Sequence, residues 1–320
     1  MLPRHLLDLS DLGGGDGVRA LLAHAACLEG ARDAGGQERP LIGRTLALVF
    51  DKPSTRTRLA FEVAAVELGA HPMLITPTTS QTGRGEPLED TARVFGRLVS
   101  AVACRTGSHA GLRTLARASS APVLNALTDD AHPLQTLADL YTVLAERGTL
   151  EGLRYVWVGD ASNVARSWIE AAGLLGLHLV LACPAGFGPP PAEVELAGAR
   201  GGRVELTDDA RAAARGADVL ITDVWVSMGQ EAEVAARRKA LADYRIDRAM
   251  VGGASPEVVV LHCLPAHRGE EIAAEVIDGP RSFVWDAVEA RLHVTKAALL
   301  WCLHLAPEAP PSLGRRRSPH

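Results

Sequence analysis

Short apolar runs recur along this chain, and each is followed by a longer stretch whose apolar residues return at helical spacing. In the first half the runs cover residues 45–50, 73–75, 101–104 and 123–125. In the second they cover 155–158, 178–182, 203–206, 219–222, 258–262 and 283–285. Runs this short and apolar, lacking polar alternation, predict parallel strands covered by helices on both faces. Ten of them fit two domains better than one. The expected class is therefore α/β, with two doubly wound parallel-sheet domains and an active site in the cleft between them. The first domain is expected over 1–145 and the second over 146–288, with a C-terminal helix at 289–305 packing back on the first. A helix carrying Leu134, Leu137, Leu140, Tyr141 and Leu144 runs out at Arg147-Gly148, close to the boundary. Residues 13–17 read as a loop, and 306–320 as a disordered tail.

The polar residues are not spread evenly over this map. Residues 52–58 follow the first strand, Arg105 the third, and 125–135 the fourth. Residues 159–163, 223–229, 263–267 and 286–291 each follow a strand of the second domain. Open parallel sheets bind ligands outside the carboxyl ends of their strands. The sequence thus places its charged and reactive side chains at the ligand-binding edges.

Composition narrows the classes. The chain has 320 residues, 47% hydrophobic and 22% charged, which suits folded domains rather than disorder. A net charge of −5 supplies no basic face for nucleic acid, and Arg315, Arg316 and Arg317 read as part of a solvated tail. The five cysteines are scattered and form no C-x-x-C pair, so neither a disulfide framework nor a zinc cage is expected. No apolar run approaches a membrane span, and the polar residues Arg4, His5 and Asp8 come early. A cytoplasmic protein with reduced thiols is expected.

Four clusters carry candidate chemistry. In Ser54-Thr55-Arg56-Thr57-Arg58, before a helical stretch, Ser54 and Thr55 are good N-cap residues. Free N–H groups at a helix start, three hydroxyls and two guanidiniums suit a doubly charged phosphate. The G-x-x-x-x-G-K pattern of a nucleotide P-loop is absent. In His132-Pro133-Leu134-Gln135, proline fits the first helical position. An imidazole there can donate to a carbonyl oxygen and an amide oxygen can accept from an –NH2 group, although a helix-capping histidine reads as well. Asp223 and Ser227 lie four apart just past a strand and can hold an ammonium group, with Gly229 following. A plain polar loop is the competing reading, and the charged stretch 230–244 suggests an exposed flap. Finally, His262-Cys263-Leu264-Pro265-Ala266-His267 could suggest zinc, but no fourth ligand with zinc-like spacing accompanies it, and a thiol nucleophile with a histidine base is the other reading.

In this order and spacing, the four clusters resemble the signature segments of the aspartate and ornithine carbamoyltransferase family, from about Leu6 to Leu305. The D-x-W-x-S-M-G and H-C-L-P segments are similar to the ornithine branch; an aspartate enzyme would be expected to show H-P-L-P-R at the latter. The resemblance implies transfer of a carbamoyl group from carbamoyl phosphate to the side-chain amine of L-ornithine, as in arginine biosynthesis, without metal or cofactor. A different amine acceptor and a catabolic role are the alternatives. It implies that Ser54, Thr55, Arg56, Thr57 and Arg105 hold the phosphate, and that Arg105, Thr57 and His132 polarise the carbonyl. Gln135 and the Leu264 carbonyl would take the carbamoyl –NH2, with Cys263 beside the reacting amine and Arg291 at the carbamoyl end. Asn163 would bind the α-carboxylate of ornithine, Asp223 and Ser227 its α-ammonium, and Met228 would close that end. Gln81 resembles a residue supplied across a subunit boundary, so a homotrimer with active sites near its interfaces is expected. Two positions depart from the family pattern: Ser162 stands where the first of two asparagines is usual, and Ala290 where an asparagine precedes the late arginine.

Overall fold

The computed structural model describes residues 2–78, 85–226 and 231–307. They divide into two compact units, one formed by 2–141 with 288–307 and the other by 142–287. The chain passes from one unit to the other within two helices, at 141/142 and at 287/288.

In the first unit, helix α1 (Gly15–Asp33) precedes strand β1 (Thr45–Phe50). Helix α2 (Arg56–Leu68), strand β2 (His71–Ile75), α3 (Leu88–Leu98), β3 (Ala101–Arg105), α4 (His109–Ala118), β4 (Val123–Leu127) and α5 (Pro133–Arg147) follow. The strands form one parallel sheet in the order β2-β1-β3-β4. The inner strands β1 and β3 are apolar and almost wholly buried, because helices cover both faces. Residues 15–17 are not loop, as expected from their glycines, but the first turn of α1. A Cβ on Gly17 would collide with the Leu12 carbonyl, so the close packing of the preceding turn explains the glycine there.

The second unit runs β5 (Arg154–Val158), α6 (Asn163–Leu175), β6 (His178–Ala182), α7 (Pro191–Ala199), β7 (Arg203–Thr207), α8 (Ala210–Ala214) and β8 (Val219–Thr222). It continues through α9 (Val234–Leu241), α10 (Arg248–Gly253), β9 (Val259–His262) and α11 (Ala274–Ile277). All five strands are parallel, in the order β7-β6-β5-β8-β9. The tenth expected strand is absent. Only an isolated bridge joins Ser282 to Val260, and the chain turns at once into α12 (Val284–Cys302). Its apolar start, Phe283 to Trp285, looks like a strand but opens a helix whose apolar residues continue to Cys302. The expected flap also differs: Glu231–Glu233 is a 3-10 turn and α9 follows, burying Arg237, Leu241 and Tyr244.

Both sheets reverse their order at one place, between β1 and β3 and between β5 and β8. Loops leaving neighbouring strands toward opposite faces open a crevice there, which is where doubly wound sheets bind ligands.

Candidate active site

At the β1/β3 reversal, residues 51–55 lead into α2, whose first turn presents N–H groups that no helical carbonyl can reach. Thr55 takes the N-cap position, but its hydroxyl makes no cap bond, contrary to the expected capping role. Arg58 turns aside to Glu62 at 2.8 Å, on the exposed side of the helix. Ser54 and Arg56 are half-buried, Thr55 is exposed and Thr57 is buried. Arg105 ends β3, and its guanidinium donates to Thr57 Oγ1 at 3.3 Å.

The organising residue of this half is Arg291, on α12. Its guanidinium donates to Gln135 Oε1 at 3.0 Å, to Thr57 Oγ1 at 2.8 Å and to His132 Nε2 at 2.9 Å. An arginine only donates, so His132 Nε2 accepts and the imidazole proton sits on Nδ1. Burial, then the charges of Arg291, Arg105 and Arg56, holds His132 well below the usual histidine range. His132 is therefore a neutral donor through Nδ1 at working pH. Thr57 Oγ1 accepts from two guanidiniums, which leaves its O–H to donate. Gln135 in turn donates through Nε2 to Asp139 Oδ1 at 2.9 Å, one helical turn along α5, which fixes its amide orientation. The product is a buried, cationic pocket edge with neutral hydrogen-bond donors beside it.

At the β5/β8 reversal stand Asn163, first residue of α6, and Asp223, just past β8. Asp223 Oδ1 accepts from the Val224 N–H at 2.7 Å and from the Cys263 thiol at 2.8 Å, while Oδ2 accepts from Ser162 Oγ at 3.0 Å. Cys263 follows β9, so three strand ends converge on one carboxylate. Leu264 adopts a φ of 58°, a left-handed conformation that redirects its carbonyl. Its N–H donates to His262 Nδ1 at 2.8 Å, and His262 Nε2 donates to the buried Glu271 at 3.0 Å. Both ring nitrogens of His262 are thereby engaged. It braces the turn and is not placed to ligate a metal or act as a base. His267 is exposed. The remaining expected residues, Gln81, Ser227 and Met228, lie outside the described residues.

A family model for the carbamoyl-P binding domain of aspartate/ornithine carbamoyltransferase matches residues 4–145, and one for its Asp/Orn binding domain matches 151–302. The chain belongs to the aspartate/ornithine carbamoyltransferase family. An ornithine carbamoyltransferase of Acidothermus cellulolyticus is 51% identical over 308 residues, 95% of this chain and 97% of that protein. The solved ornithine carbamoyltransferase of Pyrococcus furiosus superposes with a TM-score of 0.89 at 42% identity, covering 93% of this chain and 96% of the other. The anabolic ornithine carbamoyltransferase of Campylobacter jejuni gives 0.87 at 35% identity, covering 93% and 98%.

In this carbamoyltransferase three supporting residues escaped the sequence reading. Arg237 is buried, donates to the Trp225 carbonyl at 2.6 Å, pairs with Asp160 and lies over the Phe187 ring at 5.0 Å. It sits in a run of charges, where nothing in the pattern separates a buried arginine from its solvated neighbours. Glu271 is equally hidden within Gly269-Glu270-Glu271, of which only the last is buried. Asp139, which orients Gln135 from one helical turn along, was likewise not picked out, although its four-residue spacing could have signalled it.

Proposed function

We propose that this chain transfers the carbamoyl group of carbamoyl phosphate to the side-chain amine of L-ornithine, releasing citrulline and phosphate. The observation that carries this reading is the convergence of Ser162 and Cys263 on Asp223, which fixes in the acceptor half a carboxylate suited to an ammonium. An acceptor with a second carboxylate, such as aspartate, would meet that charge unfavourably. The names of the relatives support the same acceptor.

On this reading Ser54, Thr55, Arg56, Thr57 and Arg105 receive the phosphate at the start of α2, where backbone N–H groups and guanidiniums supply charge-assisted bonds. The carbamoyl carbonyl oxygen meets Arg105, the Thr57 O–H and the Nδ1–H of His132, with Arg291 holding the last two. The second lone pair of Gln135 Oε1 and the Leu264 carbonyl take the carbamoyl –NH2. Asn163 takes the α-carboxylate of ornithine, and Asp223 with Ser227 and the Met228 backbone takes its α-ammonium. The attacking amine has an intrinsic pKa of about 10.4, and cationic surroundings with little water favour its neutral form. The amine lone pair forms the new C–N bond. The resulting oxyanion is stabilised by groups already in place; the C–O bond to phosphate then breaks, the attacking nitrogen loses its extra proton to the departing phosphate, and the phosphate is left in the site that held it. Orientation of the two substrates supplies much of the remaining acceleration, with no covalent enzyme intermediate.

The chain is further proposed to act in the cytoplasm, in the citrulline-forming direction of arginine biosynthesis, as a homotrimer to which Gln81 contributes across a boundary. Supporting self-association, Leu59, Val63 and Val66 line one exposed side of α2, and exposed Met73 follows on β2. The five cysteines are free, in keeping with a reducing compartment. None of the described helices is long and apolar enough to cross a membrane.

Citrulline formation by purified protein tests the reaction, with putrescine, N-acetylornithine and aspartate as parallel acceptors and EDTA present. Turnover with ornithine alone is expected. Turnover with another amine would overturn the acceptor assignment, and none with any would overturn the reaction. A mass of three chains by light scattering is expected; a monomer would overturn the trimer.

A further inference from the structure

Asp223 is held from three directions, one of them by Ser162, which stands where the resemblance leads one to expect an asparagine. Ser162 is the N-cap of α6: its Oγ accepts the Val164 N–H at 3.3 Å. The same hydroxyl lies 3.0 Å from Asp223 Oδ2. A carboxylate only accepts, so the single hydroxyl proton of Ser162 points to Asp223. One side chain thus starts the helix on which Asn163 is the first residue and also holds the carboxylate across the β5/β8 reversal.

A carboxylate offers about four acceptor positions. On Asp223 the described residues fill three, two on Oδ1 from Val224 and Cys263 and one on Oδ2 from Ser162. The position left is on Oδ2, beside Ser162. We propose that Ser162 is a positioning residue for the acceptor amino acid: it orients Asp223 so that Oδ2 receives the α-ammonium, and ties that oxygen to the helix start that presents Asn163 to the α-carboxylate. The inference rests on the proposed acceptor site. It makes the spacing between the two α-group contacts a property of one hydroxyl.

Three substitutions separate this role from simple helix capping. Ser162→Ala removes both bonds of the hydroxyl. Ser162→Gly removes both as well, but glycine is tolerated at an N-cap far better than alanine, so it disturbs the helix start much less. Ser162→Thr keeps both. The readouts are kcat, the two Michaelis constants, the melting temperature, and calorimetric binding of L-norvaline, which has both α groups and no side-chain amine. The alanine and glycine variants are expected to raise the ornithine KM about tenfold and weaken L-norvaline by a similar factor, as loss of one hydrogen bond to a charged group implies. The carbamoyl phosphate KM should stay within about twofold, and threonine should restore wild-type values. An ornithine KM that stays at the wild-type value in the glycine variant, or that follows the melting temperature across the series, would overturn the inference. Failure of the wild-type chain to carbamoylate ornithine would instead overturn the acceptor reading. If another amine is the substrate, its own KM across the same series decides whether Ser162 positions it.

Discussion

Arg291 and Gln135 stand 156 residues apart in the chain, and the guanidinium of the first donates to the amide oxygen of the second at 3.0 Å. Helix α12, reached only after the whole second unit has been traversed, thereby completes a site whose other residues follow β1, β3 and β4.

Because Arg291 also holds Thr57 and His132, replacing it should disturb the three proposed carbamoyl contacts together. Arg291→Lys keeps the charge but loses the planar fork. A fall of about 10²–10³-fold in kcat/KM for carbamoyl phosphate is expected, the size seen when one preorganised donor is removed. Steady-state kinetics at saturating ornithine measure it; a change below about threefold would remove Arg291 from the site.

The thiol of Cys263 donates to Asp223 at 2.8 Å, and on the proposed reading it serves as a hydrogen-bond donor with no covalent step. Cys263→Ser retains a donor and should keep activity within about tenfold of wild type, while Cys263→Ala should lose more, since Asp223 then lacks that partner. Acid quenching with labelled carbamoyl phosphate should trap no thioester. Recovery of one would contradict the direct transfer.

Arg237 and Asp160 form an ion pair beside the acceptor half, and burial raises the carboxyl of Asp160 above its ordinary range despite the arginine. Arg237→Met leaves that carboxylate without its cation, and a loss of about 3 kcal/mol is expected. Denaturant unfolding of Arg237→Met and of the Asp160→Asn/Arg237→Met pair checks this. The pair should recover part of the loss, because both charges are gone.

Acid stability follows from His293, fully buried on α12. Burial, reinforced by the charges of Lys296 and Arg32, depresses its pKa to about 4. The unfolded chain binds this proton near pH 6.5 and the folded chain only near 4. Stability from this group is therefore complete above pH 6.5 and declines as pH falls toward 4. Melting temperatures across that window should fall less steeply for His293→Gln than for wild type. Equal slopes would assign the acid sensitivity to other groups.

Much of this architecture could be read directly from the residues. Buried parallel strands must be apolar on both faces, so nine of the ten apolar runs marked real strands, and polar residues could collect only at their ends. The tenth, residues 283–285, failed because an apolar helix start and a short buried strand look alike over three residues. Local chemistry was equally plain where His132 and Gln135 share a helix start. Other features depended on how distant segments pack. Spacing along a chain does not show which of several charged residues leaves water. Arg237 among its charged neighbours and Glu271 beside Glu270 were therefore invisible as supports. Tertiary contacts alone determined the proton position on His132, because it depends on Arg291 reaching Nε2 from another helix. The bond from Ser162 to Asp223 has the same origin: two strand ends 61 residues apart become neighbours only when the sheet reverses its order between β5 and β8.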